Sequence, residues 1–131
     1  MASELAMNGP RAPKVLVVED DEMVRDYAQP VLTALGYTPF AVGDSTPALR
    51  VLEEQNDIRL LLTDVGLPGG MSSPALAAEA RRRKPGPVLF ASGSVDSAGR
   101  ADRIPEGEAV LAKPYRKSEL AEKLRLLIGT A

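Results

Sequence analysis

The run Val15–Val18 ("VLVV") has no polar member and no alternation, the pattern of a strand covered on both faces, and it ends on Glu19, Asp20 and Asp21. From Glu22 to Leu35 the period changes: Val24, Tyr27, Val31 and Leu35 recur at helical spacing, and Gly36 supplies a stop. Pro30 falls inside that helix and is expected to kink it, because proline removes an intrahelical hydrogen bond. "YTPFAV" predicts a second strand, which Pro39 confines to a sheet edge. Thr46–Pro47 predicts an N-cap with proline at the first helical position, opening a helix to about Glu54. "IRLLLTD" is the third strand, and it runs straight into Asp64.

Ser73–Pro74 repeats the cap-plus-proline signal before an alanine-rich helix to about Lys84. "PGP" breaks that helix and "VLFAS" is the fourth strand. A helix over residues 96–103 has Gly99 within it and Pro105–Gly107 behind it, both of which work against it. "AVLAK" is a short fifth strand, and Ser118 caps a last helix whose Leu120, Leu124 and Leu127 share one face, ending at Gly129. Five strands alternating with five helices predict an α/β fold with a parallel sheet. The edge position of Pro39 agrees with the doubly wound, flavodoxin-like order 2-1-3-4-5, in which the second strand is an edge. The expected organisation is a flexible N-terminal tail over residues 1–12 and one domain over residues 13–131.

Composition narrows the chemistry more than the fold. The 131 residues are 44% hydrophobic and 26% charged, ordinary for a folded domain, and the formal net charge of −2 gives no general attraction to nucleic acid or anionic membrane. The first residues lack the apolar core of a signal peptide, and no apolar run approaches the ~20 residues of a membrane span, so a cytoplasmic protein is expected. There is no Cys and no His. That excludes thiolate nucleophiles, cysteine or imidazole metal sites and a Ser-His-Asp triad. Carboxylates, hydroxyls, lysine or arginine must do whatever chemistry is done.

In a doubly wound sheet, ligands sit beyond the C-terminal ends of the strands. Those ends carry Glu19, Asp20 and Asp21 on the first strand, Asp64 on the third, Ser92 on the fourth and Lys113 on the fifth. Strands one and three are neighbours in the predicted order, so Asp64 lies close to Glu19 and Asp20. Two carboxylates ~4 Å apart repel by ~4 kcal/mol at an effective dielectric near 20, so the cluster must take up a proton or bind a cation. Hard oxygen ligands suit Mg²⁺, held by Glu19, Asp20, Asp64 and the backbone carbonyl of Gly66. A divalent ion lets a phosphoryl group approach an anionic nucleophile, and aspartyl phosphate is a known product of carboxylate attack. The phosphoryl oxygens then need partners, which Lys113 and Ser92 supply. Asp64 is therefore expected to be the acceptor.

"VLVVEDD", "LLTDVGLP", "VLFASG" and "LAKPY", in this order and spacing, resemble the motifs of the response-regulator receiver domains of two-component signalling, over residues 13–129. The resemblance implies that Glu19 and Asp20 are the metal-site acids, Asp64 the phosphoacceptor, Ser92 the switch hydroxyl and Lys113 the lysine of the site. It implies phosphotransfer from a histidine kinase or histidine phosphotransfer protein, with no enzymatic activity beyond the domain's own phosphorylation and dephosphorylation. It also implies a cis bond at Lys113–Pro114, and "PGGMS" is similar to receivers associated with hybrid histidine kinases. Lacking His, the chain cannot supply the phosphohistidine itself. No output domain follows Ala131, so output is expected to be a protein contact or a phosphate relay, with no direct nucleic-acid or membrane binding. Three positions depart from the family pattern: Val110 replaces an aromatic residue, Ser73 replaces glycine, and the stretch before Pro105 is spoiled as a helix. The activation signal is therefore expected in the backbone of residues 93–108 rather than in a rotation at Val110.

Simpler readings compete at several positions. Asp64 alone would read as a turn cap, but four companions at the same sheet end argue against it. Asp21 reads as the N-cap of the first helix. "RRRK" at residues 81–84 reads as charge complementing a helix C-terminus, not as a nucleic-acid patch. A Mg²⁺-dependent phosphohydrolase needs a second acid two residues after its nucleophile, where Gly66 stands. An FMN binder would need a phosphate loop where "EDDE" stands. A phosphorylation-independent binding module on the same fold is the remaining alternative.

Overall fold

The structure, a computed structural model, describes residues 12–67, 71–93, 104–105 and 107–128. Five parallel strands form one sheet in the order β2-β1-β3-β4-β5. They are β1 (Lys14–Val18), β2 (Thr38–Val42), β3 (Ile58–Asp64), β4 (Val88–Ser92) and β5 (Ala109–Ala112). Four helices are described: α1 (Glu22–Ala34), α2 (Ser45–Glu54), α3 (Ser73–Arg83) and α4 (Lys117–Ile128). The expected helix over residues 96–103 and the stop at Gly129 lie outside the described residues. None of the described helices is long and apolar enough to cross a membrane.

The missing alternation of β1 follows from burial on both sides. Val15 and Val17 enter one core with Ala28 and Leu32 of α1 and Leu120 and Leu124 of α4. Leu16 and Val18 enter the other with Ala48 of α2, Leu76 of α3 and Phe90 of β4. Each such leucine contributes about 2 kcal/mol on leaving water, so neither face of the sheet can be uncovered cheaply. As expected, β2 is an edge strand, with Pro39 opposite Val15 in the parallel register.

Helix α1 starts on Asp21, whose Oδ1 accepts from the N–H groups of Met23 and Val24 at 2.9 and 3.3 Å. It continues through Pro30 and ends in a Schellman turn: Gly36, at φ 97°, donates to Thr33 O and Tyr37 to Leu32 O. The other three helix starts correct the sequence reading. Asp44, not Thr46, caps α2, because its carboxylate accepts the Thr46 N–H at 3.1 Å; Pro47 falls within the first turn, where an N–H would be unpaired anyway. Ser72, not Ser73, caps α3 through Ala75 N–H. Ser118 lies inside the first turn of α4, and it is Glu119 that reaches back to accept the Arg116 N–H at 2.7 Å, half of a capping box.

The "RRRK" stretch closes α3 as expected, and all four of its cations are engaged. Arg82 and Arg83 pair with Glu79, Lys84 with Asp57, and Arg81 makes a two-pronged bridge to Glu108 at 2.7 and 2.9 Å.

Candidate functional site

The carboxyl ends of β1, β3 and β5 are each carried one residue further by a bond to the neighbouring strand. Glu19 N–H donates to Val42 O at 3.0 Å, Val65 N–H to Ala91 O at 3.1 Å, and Lys113 N–H to Ser92 O at 2.8 Å. These bonds hold the backbone at Glu19, beside Asp64 and at Lys113. Asp64 stands opposite Ala91 in the register and Ser92 opposite Ala112, so Asp64, Ser92 and Lys113 converge on one rim of the sheet. Glu19 (4% exposed), Asp64 (8%) and Ser92 (4%) are buried there, while Asp20 faces solvent.

Lys113 Nζ donates to Asp64 Oδ1 at 2.8 Å and to Glu19 Oε1 at 3.1 Å. Burial works against its charge, but the hydrogen bonds to Asp64 and Glu19 outweigh burial and raise its pKa. Glu19 is also raised, first by burial and further by the charge of Asp64, although the Asp21 N–H donates to its Oε2 at 3.1 Å. A single ammonium therefore does not relieve the crowding of the acids. One oxygen from each of Glu19, Asp20 and Asp64 lies within 4.8 Å of the others. Three hard oxygens this close, with Asp20 open to water, fit Mg²⁺, which keeps several waters alongside a few carboxylates. Gly66 is exposed, and a Cβ added there would meet nothing within 4 Å, so close approach at this position does not depend on glycine; Gly69 and Gly70 lie outside the described residues.

Three further side chains at this rim were not singled out for the site from the sequence. Tyr115 is buried two residues after Lys113, across the cis Lys113–Pro114 bond that the family resemblance implied. Burial, and then the charge of Glu19, push its phenol up to about 12, and its ring packs against Tyr27 with centroids 5.9 Å apart. A groove of about 580 Å³ runs past these rings to Met23 and Lys113. Ser73, fully buried, donates through Oγ to Val65 O at 3.0 Å, a bond the glycine common at this position cannot make. Arg25 donates through Nη1 to the carbonyl of Glu19 at 2.7 Å. Its place four residues after Asp21, one helical turn from the cap, is the signal the sequence offers.

A family model described as "Response regulator receiver domain" matches residues 15–125. Among curated proteins, the chain is 32% identical over 118 residues to the two-component response regulator PhoP of Pseudomonas aeruginosa, covering 88% of this chain and 51% of that one. It is 28% identical over 120 residues to the aerobic respiration control protein ArcA of Escherichia coli K12, covering 91% and 50%. The chain thus spans about half the length of the curated relatives it matches. Among solved structures, the receiver domain of an HD domain-containing protein from Pseudomonas fluorescens Pf-5 is 31% identical with a TM-score of 0.76, covering 89% of this chain and 94% of that one. The receiver domain of the hybrid histidine kinase CckA is 33% identical with a TM-score of 0.71, covering 86% and 96%.

Proposed function

The chain belongs to the response regulator receiver domain family, and from that premise we propose that Asp64 is its phosphoacceptor, loaded from the phosphohistidine of a histidine kinase or histidine phosphotransfer protein. In this reaction an oxygen of Asp64 forms the new P–O bond while the P–N bond to the donor imidazole breaks. The electron pair of that bond returns to the imidazole. The Lys113 ammonium offsets negative charge on the incoming phosphoryl oxygens, and the Ser92 hydroxyl supplies a second donor once the group is in place. Glu19, Asp20, Asp64 and the Gly66 carbonyl would hold Mg²⁺, which when bound neutralises charge on the phosphoryl oxygens and allows two anions to meet. The domain is then its own catalyst for gaining and losing phosphate, and signals by a change of shape or by passing the group on.

The observation that carries this reading is the Lys113 ammonium bridging two carboxylates from different strands, 2.8 Å from Asp64 Oδ1. A lone turn cap needs no such partner. The test is intact-mass spectrometry after acetyl phosphate, or after beryllofluoride, with Mg²⁺ or Mn²⁺ present. A single adduct that is metal-dependent and absent in Asp64→Asn is expected. An adduct that survives the substitution sinks the assignment, and the absence of any adduct favours a phosphorylation-independent binding module.

A further inference from the structure

The backbone of Glu19 is held on both sides of its Cα. On one side the Glu19 N–H donates to Val42 O at 3.0 Å. On the other, the Glu19 carbonyl, which belongs to the peptide linking the two acids, accepts from Arg25 Nη1 at 2.7 Å. That bond is short and charge-assisted, and it comes from a helix side chain rather than from the sheet. The guanidinium rests against Gly43, the residue after β2, where a Cβ would meet Arg25 Nη1 at 3.1 Å. Gly43 does not have the left-handed backbone that would demand glycine. What glycine provides there is room for the guanidinium.

We infer that Arg25, seated in the space left by Gly43, is a positioning residue for the Glu19–Asp20 acid pair: it fixes the peptide between them so that both carboxylates stay gathered on Asp64. This rests on reading the acid cluster as the Mg²⁺ site. Charge and positioning predict opposite signs. Removing a cation beside three carboxylates would strengthen Mg²⁺ binding if Arg25 acted through its charge. It weakens binding if Arg25 acts by holding the peptide.

Mg²⁺ binding to the whole chain, followed by titration calorimetry, separates the two. Arg25→Ala is expected to weaken Mg²⁺ affinity about tenfold, the lower end of the range for partners that orient metal ligands. Gly43→Ala changes no charge and is expected to weaken it in the same direction. The double variant is expected to be no worse than Arg25→Ala alone, because both substitutions remove one contact. Without metal, amide exchange at residues 19–21 is expected to quicken in both single variants. If Arg25→Ala fails to keep the wild-type circular dichroism, Arg25→Lys and Gly43→Ala carry the same test. Unchanged or tighter Mg²⁺ binding in these variants, or losses that multiply in the double variant, overturn the role of Arg25. A wild-type chain that takes up no Mg²⁺ overturns the metal-site reading first and this role with it, so the two failures are distinguishable.

Discussion

Lys113 Nζ lies 2.8 Å from Asp64 Oδ1, and the same nitrogen reaches Glu19 Oε1 at 3.1 Å, so one half-buried ammonium serves two carboxylates at once. Lys113 thus offsets the charge of the two acids it bridges. Without it, Glu19 and Asp64 are left as neighbouring buried anions, and such a loss costs several kcal/mol when burial is complete.

Lys113→Met is therefore expected to destabilise the chain by about 2 kcal/mol in EDTA at pH 7, on the order of 8 °C in Tm, reduced from the fully buried case by partial exposure. Mg²⁺ takes over part of the neutralisation, so the gap to wild type is expected to narrow when it is added. Thermal melts with and without Mg²⁺ check this; a gap that metal leaves unchanged counts against a shared role.

Glu19→Gln is expected to act in the opposite direction. The folded-state pKa of Glu19 is raised above its ordinary value of 4.5, chiefly by burial. The folded chain thus holds a proton that the unfolded chain has released, and stability falls as pH rises through that window. Removing the charge is expected to raise the metal-free Tm at pH 7, with the gain disappearing below the ordinary glutamate value. The same variant should gain less from Mg²⁺ than wild type does. A metal-free Tm at pH 7 below that of wild type would contradict the sign.

A modest, solvent-screened part of the acid sensitivity is expected from the other end of α3. Hydrogen bonds from Arg82 and then Arg83 hold Glu79 down at about 2, and Arg81 lowers Glu108. Both carboxylates contribute stability that is fully present above their ordinary value of 4.5 and is lost as pH falls through their lowered values. Glu79→Gln with Glu108→Gln should flatten the dependence of Tm on pH between about 4.5 and 2. An unchanged acid limb would assign it to other groups.

Ser73→Ala isolates one buried hydroxyl. Its Oγ holds Val65 O at 3.0 Å, one residue beyond Asp64, and losing that bond is expected to cost about 1 kcal/mol. Denaturant unfolding measures the cost, which should appear as a lower midpoint with an unchanged slope.

The strand order and the gathering of Glu19, Asp64, Ser92 and Lys113 were legible because an uninterrupted apolar run marks a strand buried on both faces, and the doubly wound order then places the strand ends. Helix starts were less so. "GDSTP" and "MSSP" each offer several capping oxygens, and only backbone geometry chooses Asp44 and Ser72 over Thr46 and Ser73. The bonds made by Arg25 and Ser73 were not legible for a different reason. Their partners are backbone carbonyls, and a carbonyl has no letter in the sequence.

The acid cluster also bears on how the protein moves in an electric field. Glu19, Asp20 and Asp64 against Lys113 sum to two negative charges, as many as the formal −2 of the entire chain. A bound divalent cation brings the chain to formal neutrality, and an aspartyl phosphate then returns one negative charge. Native electrophoresis or isoelectric focusing would thus resolve metal-free, metal-loaded and phosphorylated chains as three bands without any label. The metal-loaded, unphosphorylated form is the one with the least charge to keep copies apart, so self-association, if it occurs in this protein, should be strongest there and relieved by phosphorylation.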